Sequence, residues 1–292
     1  TPSHYAYLKI SEGCNRHCAY CAIPIITGAH KSRPIEEILD EVRYLVSKGV
    51  KEFQIIAQEL TYYGVDLYKK QKIAELVERI SDIEGVEWIR LHYAYPASFP
   101  YDLLRVMRER KNVCKYLDIA LQHVSTKILK KMQRHVTKED TYALIEKMRR
   151  EVPGICIRTT MMVGFPGETE EEFEESLAFI QKCRFADMHI FPYSRRPGTP
   201  ADKLPGQHPN AVKEARSKAA IAVAETMSRS YRQQFVGKQL SVLFEEPEDG
   251  YFTGHTPNYI KVYAIGENLH NQLAAVTVTG LYKDGVLAEL CP

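Results

Sequence analysis

Residues 5–57 read YAYLKISEGCNRHCAYCAIPIITGAHKSRPIEEILDEVRYLVSKGVKEFQIIA and contain the first complete strand–helix–strand unit of the chain. The apolar and aromatic run YAYLKI (5–10) predicts one strand, and EFQIIA (52–57) predicts a second. Between them, PIEEILDEVRYLVSKG (34–49) predicts a helix, since a proline opens it and a glycine ends it. This order is typical of parallel strands joined by a right-handed crossover.

Four further strand-like runs follow, separated by helical patterns: EWIRLHY (87–93), YLDIALQ (116–122), CIRTTMMVG (156–164) and DMHIFPY (187–193). Six strand–helix units in succession predict an α/β fold, and a partial (β/α)6 TIM-like barrel is favoured over a flat sheet. Periodicity alone does not separate these two architectures. Ligands of either one bind at the carboxyl ends of the strands, where the cysteine-rich loop after the first strand is expected to lie.

The last part of the chain has a different pattern. From about Gly237, short strand-like runs separated by turns such as EDG and KDG replace the helical segments. This pattern is typical of a small all-β barrel, here with five strands. The sequence therefore predicts two domains, an α/β core over residues 1–235 and a β-barrel over residues 236–292.

Composition excludes several classes of protein. A net charge of +2 over 292 residues gives no overall electrostatic case for nucleic acid. Seven cysteines are too scattered for a disulfide scaffold, so a reducing cytoplasm is expected. No apolar run reaches the length of a membrane span and no signal peptide is visible, so no membrane partner is expected. The chain begins without Met, and we expect it to be a fragment of a longer protein.

Three of the cysteines, Cys14, Cys18 and Cys21, are spaced C-x3-C-x2-C. A structural zinc site usually has four ligands in two pairs, and His17 lies too close in sequence to join the cysteines without strain. Thiolates also bind iron–sulfur clusters, and three thiolates on a four-iron cluster leave one iron without a protein ligand. The spacing therefore favours an iron–sulfur cluster, with zinc as the alternative.

With Tyr20 directly before the last cysteine, this motif resembles the signature of the radical S-adenosylmethionine (SAM) enzymes. The resemblance implies one 4Fe–4S cluster on the three cysteines, which thereby take part in catalysis, and SAM bound at the open iron. It implies that one electron, from a donor of flavodoxin or ferredoxin type, breaks a C–S bond of SAM and yields a 5′-deoxyadenosyl radical. A partial six-unit α/β barrel is also the fold of that superfamily.

Four further stretches resemble the methylthiotransferases, which insert sulfur into a C–H bond and methylate it. They are IIAQELTYYG (55–64), LDIALQHVS (117–125), RTTMMVGFPGETEEEF (158–173) and YSRRPGTPA (193–201). The β-barrel resembles the TRAM domain that ends such proteins. The family carries a second 4Fe–4S cluster in an N-terminal domain that this chain does not include, so we expect SAM cleavage without complete sulfur insertion.

Two branches of that family act on different substrates, and parts of this sequence resemble each branch. The first half, up to about residue 125, resembles the branch that modifies an aspartate of ribosomal protein S twelve. The stretches DMHIFPYSRRPGTPA (187–201) and GHTPNYIKVY (254–263) are more similar to the branch that modifies threonylcarbamoyladenosine in tRNA. The ribosomal protein is favoured because the active-site half resembles that branch.

Polar side chains end two of the predicted strands. Gln58 and Glu59 follow the second strand, where the family places groups that hold the amino group of SAM. Gln122 and His123 end the fourth strand and are expected at the barrel mouth, with Gln122 toward the cofactor and His123 toward the substrate. The alternatives are a solvated loop carboxylate and a hydrogen-bonded pair at the edge of the core.

Arg158 and Thr160 lie two residues apart on the fifth strand and therefore share a face. Because a buried Arg without a counter-charge is costly, Arg158 is expected to meet a carboxylate or a ribose, by resemblance that of SAM. Gly164 and Gly167 allow close approach of a flat ligand and Pro166 fixes the turn, and the family lays adenine against this segment. The alternative is an ordinary strand-to-helix turn.

The loop after the sixth strand carries Tyr193, Arg195 and Arg196, which are predicted to face an acidic substrate or a phosphate. A solvated basic loop is the alternative. The four cysteines outside the motif lack ligand spacing and are predicted to be buried core thiols: Cys114, Cys156, Cys183 and Cys291.

Two rival functions remain. A zinc-stabilised RNA-binding protein would use Tyr259, Lys261 and Tyr263, which alternate in the last domain and suggest a stacking face for RNA. One face of an ordinary barrel strand explains the same pattern. A radical RNA methylase is the second rival, although it would lack the YSRRPGTPA stretch and the β-barrel.

Overall fold

The computed structural model describes residues 3–292. Six strands form one parallel sheet in the order β1-β4-β5-β6-β7-β8. These strands are β1 (Tyr5–Lys9), β4 (Glu52–Ile56), β5 (Trp88–Ala94), β6 (Val113–Gln122), β7 (Cys156–Val163) and β8 (Asp187–Pro192). Two short strands, β2 (Ser11–Glu12) and β3 (Lys31–Ser32), pair antiparallel and flank the cysteine loop.

Helices connect the strands of the sheet. They are α1 (Ile23–Thr27), α2 (Ile35–Ser47), α3 (Val65–Tyr68), α4 (Ile73–Ser81), α5 (Asp102–Glu109), α6 (Thr126–Lys131), α7 (Lys138–Glu151), α8 (Glu170–Cys183) and α9 (Asn210–Gln233). None of the helices within residues 3–292 is both long and apolar enough to cross a membrane.

One face of the sheet is apolar and the other is polar. Alternate residues such as Leu8, Ile55 and Leu117 form a single core with the buried sides of the long helices. The intervening residues, among them Arg90 and Arg158, belong to the opposite face, because successive side chains of a strand alternate. A flat doubly wound sheet would have helices on both faces, so this one-sided covering is that of a partial barrel, as the sequence predicts.

The C-terminal strands close into a barrel in the order β10-β11-β13-β12-β9. They are β9 (Gln239–Glu248), β10 (Tyr251–His255), β11 (Lys261–Ala264), β12 (Leu273–Tyr282) and β13 (Gly285–Leu290). Apolar residues from all five strands fill its interior. The five-stranded all-β module predicted from the sequence is therefore confirmed, and the predicted domain boundary falls in the connection between α9 and β9.

The barrel covers the amino ends of the sheet through the loop after β10. Arg90 on β5 is fully buried and forms a two-point ion pair with Glu52 on β4, at 2.7 and 3.2 Å. Its guanidinium also donates to the carbonyl oxygens of Thr256 and Pro257 and lies 4.5 Å from the centre of the Tyr259 ring. The opposite, carboxyl ends of the strands carry the cysteine loop.

Candidate functional site

The cysteine loop lies between β2 and α1 and is held at its start by a tight backbone contact. Gly13 adopts a φ of +71°, and a Cβ at this position would lie 2.2 Å from the carbonyl oxygen of Ala29. The amide of Cys14 donates to the carbonyl of Gly28 at 3.2 Å. Only glycine fits this approach, so the local chain fixes where the first cysteine begins.

The three thiols are free, and their spacing does not suit one metal ion. Cys14 and Cys18 are buried and Cys21 is half-buried. Within residues 3–292, only one group of three His, Cys, Asp or Glu residues has ligand atoms that all lie within 4.8 Å of one another, and it does not include these cysteines. The three sulfurs are therefore spread more widely than that. Zinc–sulfur bonds of about 2.3 Å place tetrahedral thiolates about 3.8 Å apart. A multi-iron cluster, whose cysteines bind separate irons, fits the wider spacing.

Burial favours the protonated form of two of these thiols, Cys14 and Cys21, when no metal is bound. It raises the pKa of Cys14 to about 11 and also raises the pKa of Cys21. Thiolate is the ligand form, so metal binding at this loop must release protons.

Arg134, which follows α6, brings a buried positive charge to the loop. Its guanidinium is within 3.7 Å of the Cys18 sulfur, donates to the Tyr20 hydroxyl at 3.0 Å and also reaches the Ala120 carbonyl. It lies 4.3 Å from the centre of the Tyr95 ring. Burial opposes its charge, but the phenols and the thiol outweigh this effect, so the pKa of Arg134 is raised. No carboxylate within residues 3–292 forms an ion pair with it.

Arg16, inside the cysteine motif, forms the other side of this cationic environment. Its amide contacts the Cys14 sulfur at 3.3 Å, and its guanidinium pairs with Glu59 at 3.1 Å. The same guanidinium also lies 4.3 Å from the centre of the Tyr95 ring. Sequence reasoning missed Arg16, Tyr95 and Arg134; only Arg16 had a usable signal, because it lies between two candidate ligands.

Gln58 and Glu59 both lie beside the loop, but they have different surroundings. Glu59 is buried and its carboxylate is occupied by Arg16 and Thr61. Gln58 donates to Glu12 at 2.9 Å, and its side-chain oxygen is buried without a partner in the described part of the chain. Gln58 also lines a hollow of about 450 Å³ with Lys9, Ile23, Ile56, Ala57 and Tyr93. Of the predicted pair, Gln58 is therefore the residue with a free group for a ligand.

Gln122 and His123 also differ in their surroundings. Gln122 has a φ of +70°, and its side-chain oxygen is buried with no hydrogen-bond partner from residues 3–292. His123 is fully buried; its Nδ1 accepts from the Ser125 amide and its Nε2 donates to Glu168, both at 2.9 Å. Both ring nitrogens have hydrogen-bond partners within the chain, and the predicted contact of His123 with substrate stays a prediction.

Glu168 organises the turn after β7. The fully buried carboxylate accepts from the Gly164 amide at 2.6 Å, from Arg216 at 2.6 Å and from His123. A Cβ on Gly164 would lie 2.5 Å from Lys213 Cγ, whereas Gly206 packs against the backbone of Pro166 and Gly167. These close approaches are between parts of the chain itself. The predicted contact of Gly164, Pro166 and Gly167 with adenine stays a prediction.

Arg158 lies far from the cysteine loop. It is five residues before the carboxyl end of β7, about 17 Å along the strand. It pairs with Asp187 at 3.1 Å and with Asp118 at 3.9 Å, and it lines a cavity of about 1090 Å³ bounded by α9 and the C-terminal barrel. The predicted carboxylate partner exists, but it belongs to this chain, and the position does not support the predicted contact with SAM. Thr160, half-buried, lies two residues nearer the loop.

The YSRRPGTPA loop is joined to the cysteine loop by a hydrogen bond from the Ala201 amide to the Ala19 carbonyl at 2.8 Å. Tyr193 is buried against Phe165, and its predicted contact with substrate stays a prediction. Arg195 pairs with Asp202 at 2.8 Å. Arg196 is exposed, and its guanidinium has no partner within the described part of the chain, residues 3–292.

The three residues of the predicted RNA-stacking face do not form one exposed row. Tyr259 precedes β11, has a φ of +62° and lies against the buried Arg90. Tyr263 is 1 % exposed. The Tyr263 ring is therefore not free to stack on a base, whereas Tyr259 is half-buried and lines the cavity between α9 and the barrel. Among the scattered thiols, Cys114, Cys156 and Cys183 are buried as predicted, whereas Cys291 is half-buried.

Comparison with known proteins agrees with this site. A model of the radical SAM superfamily matches residues 8–180. The chain is 62 % identical over 257 residues to the ribosomal protein uS12 methylthiotransferase RimO of Bacteroides fragilis, covering 88 % of this chain and 60 % of that protein. It is 45 % identical over 289 residues to the RimO of Christiangramia forsetii, covering 99 % of this chain and 64 % of that protein. It thus spans less than two thirds of these relatives.

Solved structures agree in fold. The radical S-adenosylmethionine methyltransferase TsrM from Kitasatospora setae, with tryptophan substrate and a SAM analog bound, superposes with a TM-score of 0.57 at 18 % identity. The match covers 69 % of this chain and 38 % of that one. At this identity the likeness concerns the fold alone.

Proposed function

The chain belongs to the radical SAM superfamily, and from this membership we propose that it is the catalytic part of a methylthiotransferase that acts on ribosomal protein uS12. The observation that carries the chemistry is the set of three free thiols at the carboxyl ends of the strands, spread too widely for a single ion. The high identity to RimO proteins favours the substrate.

The residues around the loop suit a 4Fe–4S cluster. Arg134 is a buried cation with no carboxylate partner within residues 3–292, which is costly unless an anion lies beside it. A cluster held by three thiolates is such an anion. When bound, it would supply the one-electron cleavage of SAM at its open iron, giving the radical that removes hydrogen from the substrate.

The chain's own groups would bind and orient SAM. Gln58 and Gln122 each present a buried oxygen that has no partner among the described residues, and such an oxygen is expected to accept from the amino group of SAM. Arg16 and Glu59 neutralise each other and fix the cysteine loop, so they position the ligands without touching the substrate. Arg196 is exposed on the adjoining loop, and we expect its guanidinium to attract an acidic segment of uS12.

The high identity to RimO proteins does not favour the tRNA alternative. An electron donor of flavodoxin or ferredoxin type belongs to the proposal as the source of the electron. The whole protein's activity also needs a sulfur source, which residues 1–292 do not identify.

Anaerobic reconstitution followed by iron analysis and a 5′-deoxyadenosine assay tests the proposal. We expect about four irons per chain and release of 5′-deoxyadenosine on reduction with SAM. Cys18→Ala should abolish both, while Cys183→Ala, which removes a buried thiol outside the loop, should keep them. Zinc without iron, or no adenosyl product, contradicts the proposal. Mass spectrometry of uS12 and of tRNA from cells with and without the full-length gene then separates the two substrates.

A further inference from the structure

A second cluster of ligand groups lies at the seam between the sheet and the C-terminal barrel. His4 precedes β1, Glu246 lies on β9, and His270 lies in the turn before β12. One ligand atom from each of these residues lies within 4.8 Å of the other two. We infer that His4, Glu246 and His270 bind a divalent metal ion, zinc by the chemistry of the donors, which ties the start of the sheet to the barrel.

His4 gives an observation independent of the spacing. Its side chain is 2 % exposed, and its Nδ1 is buried without a hydrogen-bond partner among residues 3–292. A buried ring nitrogen without a partner is unusual, because buried polar atoms are almost always satisfied. A metal ion bound by this nitrogen would satisfy it. Burial also lowers the pKa of His4, which favours the neutral imidazole that metals require.

His270 has the hydrogen bonds of a ligand that is held in orientation. Its Nδ1 lies 2.7 Å from the Glu245 carbonyl oxygen, which can only accept, so Nδ1 carries the proton. Nε2 then keeps its lone pair, and the Ser3 hydroxyl donates to it at 2.6 Å. Metal-bound imidazoles commonly donate their other N–H to a carbonyl in this way. The nearest Glu246 oxygen lies 3.5 Å from Nδ1, so an ion at Nε2 would replace the Ser3 contact and would require the exposed Glu246 carboxylate to turn toward it.

The local charge also favours a cation. The ion-pair partners of Glu245 and Glu246 are imidazoles: His4 and His255 for Glu245, and His270 for Glu246. No Lys or Arg among residues 3–292 forms an ion pair with either carboxylate. Two nitrogens and a carboxylate oxygen suit zinc, which accepts three protein ligands and a water as the fourth.

Zinc binding to the cluster-loaded chain tests this inference. Isothermal titration with Zn²⁺ should show one site per chain with micromolar affinity. His270→Gln and Glu246→Gln, both at exposed positions where folding is not endangered, should each weaken binding at least ~10-fold. The matched controls are His135→Gln and Glu267→Gln, which alter an exposed imidazole and an exposed carboxylate outside the site and should bind as the parent does.

X-ray absorption at the zinc edge then locates the ion. We expect nitrogen and oxygen neighbours at about 2.0–2.1 Å and no sulfur at about 2.3 Å. Sulfur neighbours would place the zinc in the cysteine loop and overturn the inference. So would the absence of stoichiometric binding, or equal affinity in His270→Gln and the parent. None of these outcomes depends on SAM cleavage, so the proposed function stands or fails separately.

Discussion

The two ends of the parallel sheet both contain a buried arginine packed on tyrosine, but only one of these arginines has a carboxylate. At the amino ends, Arg90 forms a two-point pair with Glu52, and the barrel loop covers both. At the carboxyl ends, Arg134 reaches a cysteine sulfur, a phenol and a carbonyl, with no carboxylate among residues 3–292. Among residues 3–292, the buried charge at the first end is paired with a carboxylate, whereas the second end has a positive charge without a carboxylate and two side-chain oxygens without partners.

The largest expected difference between the two ends is in stability. Arg90→Met leaves Glu52 buried and unpaired, so we expect the free energy of unfolding to fall by about 3–5 kcal/mol. Urea unfolding of the cluster-free chain measures this. Arg110→Met, which removes an exposed pair with Asp82 and Glu78, is the matched control and should cost less than about 1 kcal/mol. Equal losses in the two variants would contradict a special role for the amino-end pair.

Arg134→Met should behave in the opposite way. Because Arg134 has no carboxylate to leave behind, we expect the stability of the cluster-free chain to change by about 1 kcal/mol or less. The reduction potential of the reconstituted cluster should fall, on the order of 60 mV, since a cation beside a ligand sulfur stabilises the more negative state. Redox titration followed by electron paramagnetic resonance measures this, and Arg134→Lys should restore part of the potential. An unchanged potential would show that Arg134 only fills space.

The raised pKa of the Cys14 thiol should make the free energy of unfolding depend on pH. Burial raises the pKa of Cys14 from its ordinary value of 9.0 to about 11, so the folded chain holds this proton more tightly than the unfolded chain. This stabilisation is fully present below pH 9 and is lost as the pH rises through 11. Over this pH range, we expect the free energy of unfolding of Cys14→Ala to fall by about 1 kcal/mol less than that of the parent. Unfolding curves of parent and variant between pH 8 and 11 test it, and parallel curves would contradict it.

The smallest expected effect is at the rim of the carboxyl end. Arg196→Ala removes an exposed guanidinium, so the free energy of unfolding should stay within about 0.5 kcal/mol. In the full-length enzyme we expect KM for uS12 to rise several-fold with kcat unchanged, and the difference should shrink at high salt. Arg195→Ala is the comparison, because Arg195 is already paired with Asp202. A larger rise in KM for Arg195→Ala than for Arg196→Ala would assign the contact with uS12 to Arg195 instead.

The sequence predicted the elements of this fold well because their patterns are local. The strand at 52–57 and the helix at 34–49 were predicted to within two residues of β4 and α2. Alternation along a strand gives the face of a side chain, but a residue's distance from the strand end decides which ligand it can reach. Arg158 was misplaced for this reason: it lies on the inner face but near the amino end of β7.

The rest of the site depends on contacts that no local pattern reveals. Arg134 is 116 residues from Cys18 and reads as one of several basic residues that follow a short helix. Tyr259 and Tyr263 read as alternate residues of one strand, but Tyr259 precedes the strand in a left-handed conformation and Tyr263 is buried. In each case packing between distant segments decides the outcome.

Electron paramagnetic resonance of the reduced, reconstituted chain with and without SAM is the most direct test of the cysteine loop. A cluster with one iron free of protein ligands should give a signal whose g values shift when SAM is added, and Cys14→Ala should abolish the signal. A signal that SAM leaves unchanged, or a loop that takes up zinc and gives no signal, would contradict an open iron at this loop.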